Sequence, residues 1–246
     1  MKKLALITGS KGGIGSAISS KLVSDGYRVI ATYYTGNHQC ALDWFVEKEF
    51  NDDQVRLFEL DVTNAAECAE RLSNLLQEEG TIDVLVNNAG ITKDSVFKKM
   101  TLDAWRDVIE TNLNSLFNVT QPLFAPMCEK GSGRVINISS VNGLKGQFGQ
   151  TNYSAAKAGM IGFSKALAAE GARSGVTVNV VAPGYTATPM VQQMKPEVLE
   201  SIKSQIPMKR LATPEEIAES VSFLASDAGA YITGETLSVN GGLYMS

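Results

Sequence analysis

Four apolar residues, Leu4 to Ile7, run straight into the glycine turn Thr8-Gly-Ser-Lys-Gly-Gly-Ile-Gly15. Helix-compatible sequence follows from Ser16 to Ser24, closed by Asp25-Gly26. Glycines at such a turn let backbone N–H groups come close to an anion, and the amino end of the helix adds a favourable field. A second β-favouring run, Tyr27 to Tyr34, comes next. Strand, glycine turn, helix and strand in this order open a dinucleotide-binding unit. Lys11 to Ser16 also approaches a P-loop, but a P-loop carries lysine immediately after its last glycine, and Ser16 stands there.

The alternation continues. Val55–Leu60 reads as a strand, Asn64–Glu79 as a helix and Ile82–Val86 as a strand. Thr101–Lys130 reads as one long helical segment with a bend expected near Pro122. Gly133–Ile138 is a strand, Thr151–Arg173 a helix and Val176–Val181 a buried strand ending at Pro183-Gly184. Thr213-Pro-Glu-Glu is a helix start with a capping threonine, proline in the first turn and acids beside it. That helix should reach about Ser226, and Thr236–Val239 closes the series. Alternating strands and helices predict an α/β fold: a single-domain, doubly wound (Rossmann-type) parallel sheet over residues 1–246, with helices on both faces. The least regular stretch, Tyr185 to Lys209, follows the carboxyl end of a strand and reads as a mobile lid over a site.

Composition excludes several function classes. A formal charge of −4 leaves no nucleic-acid footprint. Three scattered cysteines, Cys40, Cys68 and Cys128, make neither a disulfide framework nor a metal cluster. The single histidine, His38, rules out a multi-histidine metal site. The apolar run at the amino end is too short for a signal-peptide core or a membrane span, so a cytoplasmic protein without a membrane partner is expected.

Chemistry concentrates in Ser140–Lys157, SVNGLKGQFGQTNYSAAK. Tyr153 and Lys157 are four residues apart on a predicted helix and so share a face, with Ser140 thirteen residues upstream of the tyrosine. A lysine cation beside a phenol favours the phenolate and lowers its pKa from about 10. A drop to about 7 takes roughly 4 kcal/mol. A phenol so tuned serves as acid and base near neutrality.

Taken together and in order, the T-G-x-x-x-G-x-G turn, Asn87-Asn-Ala-Gly90, Ser140, Tyr153-x-x-x-Lys157 and Pro183-Gly184 resemble the short-chain dehydrogenase/reductase family over the whole chain. The resemblance implies a catalytic set of Asn112, Ser140, Tyr153 and Lys157, with Asn112 kinking its helix and holding a water in a proton relay. It implies a nicotinamide dinucleotide on Gly9, Ser10, Gly12, Gly13, Ile14, Gly15, Asp61, Val62, Asn88, Ala89, Gly90, Tyr153, Lys157, Pro183, Gly184 and Thr186. Members that prefer NAD place an acid at the end of the second strand. Here Tyr33 and Tyr34 stand there and no acid follows until Asp43, which favours NADPH/NADP over NADH. The arginine that many NADP-specific relatives carry beside the second glycine is replaced by Gly12, leaving Lys11, Thr35, Asn37 and His38 as candidate phosphate contacts. Gly90–Met100, Asn112–Thr120, Ser140–Tyr153 and the ending Asn240-Gly-Gly-Leu-Tyr-Met are similar to bacterial members that reduce 3-ketoacyl-CoA thioesters. That similarity implies an acyl-CoA substrate met by Asp94, Lys99, Gln147, Phe148, Gln150 and Tyr185, and a homotetramer. Members that act on the same group borne by acyl-carrier protein share every catalytic residue. A non-catalytic nucleotide sensor on this fold need not keep Ser140, Tyr153 and Lys157 together.

Overall fold

The computed structural model describes residues 2–245. Seven parallel strands among these residues form one sheet in the order β3-β2-β1-β4-β5-β6-β7. They are β1 (Leu4–Ile7), β2 (Arg28–Tyr33), β3 (Val55–Glu59), β4 (Val84–Asn87), β5 (Gly133–Ile138), β6 (Val176–Pro183) and β7 (Thr236–Val239). Successive side chains of a strand point to opposite faces, so a strand covered on both sides must be apolar throughout. β1 does this: Ala5 and Ile7 enter one core, Leu4 and Leu6 the other. The first core is closed by α1 (Gly13–Ser24), α2 (His38–Glu47) and α10 (Pro214–Ala225), through Ile18, Leu22, Trp44, Ile217 and Val221. The second is closed by α3 (Ala65–Glu79), α5 (Ser115–Lys130) and α7 (Thr151–Gly171), through Leu72, Leu75, Val119, Leu123 and Ala168. The doubly wound architecture is therefore the expected one.

Strand order reverses between β1 and β4, and in such sheets ligands lie in the crevice beyond the carboxyl ends at that point. Four local expectations change. The stretch before β3 contains α2, anchored by Trp44 Nε1–H donating to Ser16 Oγ at 2.8 Å. The long helical segment carries Pro122 inside α5, where it does not end the helix. Its α-helical bonding is instead interrupted by a π-turn over Glu110–Asn114, between α4 (Leu102–Ile109) and α5. A short helix, α6 (Val141–Lys145), follows Ser140. The irregular stretch after β6 is largely helical, with α8 (Pro189–Gln192) and α9 (Pro196–Gln205). Thr213 does start α10, in a full capping box: its Oγ1 accepts from Glu216 N–H at 3.2 Å, and Glu216 Oε2 accepts from Thr213 N–H at 2.8 Å. No helix among the described residues is long and apolar enough to cross a membrane.

Candidate active site

The glycine turn is built to bring backbone close to a ligand. α1 begins at Gly13, earlier than the sequence suggested, and Gly12 is its N-cap. The first bond of the turn is Ser16 N–H to Gly12 O, 2.6 Å. Gly12 N–H turns back to Gly9 O at 3.2 Å, so it is the amides of Gly13, Ile14 and Gly15 that have no intrahelical acceptor and are available to an anion. Gly9 has φ +66°, open to glycine at low cost. A Cβ on Gly13 would lie 2.8 Å from Thr188 Cγ2, and one on Gly15 would strike Gly9 O and lie 2.7 Å from Asn88 Nδ2. Ser10 is used by the fold itself. Its hydroxyl donates to Ile7 O at 2.7 Å and its amide to Thr32 O at 3.2 Å, so neither is left for a cofactor.

Thr8, the first residue of the glycine turn, ties β1 to β4. Its Oγ1 accepts from the amides of Asn88 and Ala89, both at 2.9 Å, while Asn88 Nδ2 donates to Thr8 O and Gly9 O. Gly9, Asp61, Val62, Ala89 and Gly90 then line one cavity of about 690 Å³ together with Tyr34. Asp61 is not the N-cap of α3; Asn64 is, and Asp61 accepts from the backbone and hydroxyl of Thr63. Pro183 ends β6, and Gly184 packs so closely that a Cβ would meet Asn240 Cα at 2.8 Å. Thr186 is buried and bridges to Ala212, which pins the start of the α8–α9 segment. The cradle, the cavity and the free amides fit a dinucleotide.

The end of β2 is less open to a phosphate than the residue types implied. Tyr33 is buried, and its hydroxyl is 2.8 Å from His38 Nδ1. An acid also stands nearby after all, supplied by the neighbouring strand. Glu59 pairs in register with Tyr33, and its Oε1 accepts from Gly36 N–H at 3.0 Å.

Lys157 is buried at 3% exposure, and its ammonium donates to Ile138 O at 2.7 Å. Burial alone pushes its pKa down to about 8. Its Nζ lies 5.6 Å from the centre of the Tyr153 ring, so the predicted pair is formed. Gly90 packs against both Asn112 and Lys157: a Cβ there would lie 3.3 Å from Asn112 Oδ1 and 3.6 Å from Lys157 Nζ. Asn112 is wholly buried in the π-turn, and its amide grips Ile91, accepting from N–H at 2.8 Å and donating to O at 2.9 Å. Ser140 caps α6, its Oγ accepting from Asn142 N–H at 3.1 Å, and hydrogen-bonds the Tyr153 hydroxyl. One expectation is corrected. The Tyr153 pKa is raised, not lowered: burial dominates, the Ser140 hydrogen bond opposes it, and the charge of Asp94 adds to it. A second buried amide, Asn152, was not singled out from sequence. Its Nδ2 donates to Lys93 O and Ala104 O and its Oδ1 accepts from Tyr153 N–H, which sets the start of α7.

The six residues assigned to the substrate fall in three places. Asp94 and Gln150 meet each other, Gln150 Nε2 donating to Asp94 Oδ2 at 2.8 Å. Phe148 is 86% exposed, Lys99 ends an exposed 3-10 turn, and Gln147 accepts from Lys145 Nζ at 2.8 Å. Tyr185 is half-buried and lines a separate small cavity with Ile206, Met208 and Arg210.

A family model described as enoyl-(acyl carrier protein) reductase matches residues 9–244. An acetoacetyl-CoA reductase of an Acinetobacter strain is 57% identical over 99% of this chain and 98% of its own length. The chain belongs to the short-chain dehydrogenase/reductase family. It is an oxidoreductase of that family, with a nicotinamide cofactor. The acetoacetyl-CoA reductase of Cupriavidus necator is 47% identical, and the 3-oxoacyl-[acyl-carrier-protein] reductase FabG of Salmonella typhimurium 46%. Each covers 99% of this chain, and 99% and 98% of its own length respectively.

Proposed function

We propose that the chain reduces acetoacetyl-CoA to (R)-3-hydroxybutanoyl-CoA with NADPH, supplying monomer for polyhydroxybutyrate. The observation that carries this reading is the full-length similarity to acetoacetyl-CoA reductases, 57% in the nearest case described above, joined to a formed Ser140–Tyr153–Lys157 cluster. A reduced nicotinamide held by the glycine turn would supply the hydride that the ketone carbon accepts. Ser140 and Tyr153 hydrogen-bond the carbonyl oxygen, where negative charge develops, and so stabilise the transition state more than the ground state. Tyr153 gives its proton to that oxygen. Lys157 holds the ribose hydroxyls and its charge stabilises the phenolate left when the proton is given up, and Asn112 carries protons to Lys157 through water.

Gly9, Gly12, Gly13, Ile14 and Gly15 hold the pyrophosphate; Asp61, Val62 and Asn88–Gly90 hold the adenosine side; Pro183, Gly184 and Thr186 border the nicotinamide. The preference for NADPH rests on the tyrosines at the end of β2, with Lys11, Thr35 and Asn37 left to meet a 2′-phosphate. Exposed Phe148 offers an apolar wall to the acyl-CoA, Lys99 a charge for its phosphates, and Gln147, Gln150, Asp94 and Tyr185 polar contacts. The segment 185–209 closes over this entrance as a lid. A homotetramer in the cytoplasm is the expected setting. Ala155, Ala158, Gly162, Ala166 and Ala169 form an exposed small-residue face on α7 that lets a second copy approach.

The alternative carrier-protein reading has the weaker support, the 46% identity to a 3-oxoacyl-[acyl-carrier-protein] reductase. Steady-state kinetics with acetoacetyl-CoA and acetoacetyl-carrier protein, each with NADPH and NADH, tests both. A higher kcat/KM for acetoacetyl-CoA with NADPH is expected. A preference for the carrier-bound substrate or for NADH would overturn that part of the proposal.

A further inference from the structure

A continuous line of hydrogen bonds runs from the loop after β4 to the catalytic serine. Asp94 Oδ2 accepts from Gln150 Nε2 at 2.8 Å. Gln150 Oε1 accepts from Asn142 Nδ2 at 2.9 Å. The backbone N–H of Asn142 donates to Ser140 Oγ at 3.1 Å. A backbone bond runs alongside, Ser95 N–H to Gly149 O at 2.9 Å.

The direction of this line is forced from one end. An ionised carboxylate only accepts, so Gln150 must turn its NH₂ to Asp94 and its oxygen to Asn142. Asn142, which is buried, must then turn its NH₂ to Gln150. Its own Oδ1 is left buried without a partner. An orphaned acceptor of this kind disfavours the folded state, and such groups call for an explanation in terms of function or strain. Here the gain is placement. With Asn142 held from both its backbone and its side chain, Ser140 Oγ accepts from a fixed N–H, and the serine proton is left to point at the Tyr153 hydroxyl or a carbonyl oxygen.

We propose that Asp94, Gln150 and Asn142 form a positioning strut for Ser140, so that Asp94 and Gln150 act on the reaction through the serine and not only by touching the acyl chain. Gln150 is already immobilised at both ends before any ligand arrives, which is how a supporting shell holds a reacting group within a fraction of an ångström.

The inference rests on the thioester-reductase reading for its kinetic arm and stands free of it for its structural arm. In the structural arm, amide hydrogen exchange over residues 140–146 is followed in the full-length protein. Gln150→Ala and Asp94→Leu should speed exchange at the Asn142 amide by roughly tenfold or more, and Asp94→Asn, which keeps an acceptor oxygen, should not. Unchanged protection in Gln150→Ala would overturn the strut whatever the substrate proves to be. In the kinetic arm, Gln150→Ala should lower kcat for acetoacetyl-CoA reduction roughly tenfold, in line with the cost of a small misplacement of a reacting group, with KM within about twofold. In a Ser140→Ala background the same change should add less than about twofold. An effect confined to KM, or one that multiplies in full with Ser140→Ala, would show a plain substrate contact and sink the proposal. Failure of the wild-type protein to turn over any 3-ketoacyl thioester would instead refute the functional reading, with the exchange result still deciding the strut.

Discussion

Replacing Lys157 with methionine should abolish catalysis and make the protein more stable at neutral pH. Lys157 is buried, carries no carboxylate partner among the described residues, and has Ile138 O as its acceptor at 2.7 Å. Burial moves its pKa from an ordinary 10.5 to about 8. At about 1.4 kcal/mol for each pH unit, the folded state is penalised by about 3 kcal/mol for holding the charged form. The sign follows from proton binding. Between pH 8 and 10.5 the unfolded chain binds more protons, so stability rises with pH across that window. The penalty is full below pH 8 and absent above 10.5. Methionine has nearly the same length, stays neutral, and gives up one hydrogen bond worth about 1 kcal/mol. The net gain at pH 7 is about 2 kcal/mol, which for a chain of this size is a Tm higher by about 4–8 °C. Calorimetry of the nucleotide-free proteins at pH 7 and pH 10 measures it. The difference should shrink or reverse at the higher pH. A variant no more stable than wild type at pH 7, or an offset that does not change with pH, would show that the buried ammonium is not the source.

Tyr153→Phe keeps the ring and removes the proton donor, so turnover should fall by at least a hundredfold while the Kd for NADPH, read by fluorescence, changes less than about threefold. Gly15→Ala places a methyl against Gly9 O and 2.7 Å from Asn88 Nδ2; urea unfolding should show a loss of about 1–3 kcal/mol, with weaker nucleotide binding. Asn112→Ala strips both the N–H and the carbonyl of Ile91 of their partner. A loss of about 2–4 kcal/mol in urea unfolding is expected, since each buried polar group left unpaired costs about 1–3 kcal/mol.

Most of the sheet was legible because its strands are buried on both faces and read as unbroken apolar runs, as Val176–Val181 does. α2 was not, because its fully buried residues are few, Ala41 and Trp44, with Leu42 and Phe45 half-buried and the remainder mostly exposed. The break in the long helix was placed at Pro122 because proline is the usual local signal. Pro122 falls within α5, and the interruption is the π-turn holding Asn112, where only the family resemblance had placed a kink; the two bonds of Asn112 to Ile91 are a tertiary contact. The set Asn112, Ser140, Tyr153 and Lys157 was picked out by motif, and the structure brings these four residues together. What motif could not give was the support around it. Thr8 and Asn152 act through backbone groups of residues distant in sequence and Asn142 through the side chain of Gln150, and no spacing rule marks them. Glu59 was overlooked for the same reason, since only the parallel register of β2 and β3 brings it beside Tyr33.

The pKa directions change the chemistry more than any of these placements. In water a tyrosine loses its proton slightly before a lysine. In this site the order is reversed, with Lys157 at about 8 and Tyr153 above 10. One cause produces both shifts, because burial disfavours whichever form is charged, the ammonium of one and the phenolate of the other. A lysine can favour a phenolate only while it is itself protonated, which here means below about pH 8. Within the protein, the Ser140 hydrogen bond pulls the phenol toward ionisation, while burial and the Asp94 charge hold it back. The resting site therefore keeps Tyr153 as a phenol, the form that donates a proton to a carbonyl oxygen. Reduction starts from that form directly. Oxidation needs the phenolate, and the charge to stabilise it must come with the ligands. The resting protonation of Tyr153 and Lys157 is thus set by the burial of two side chains, which no reading of their spacing could supply.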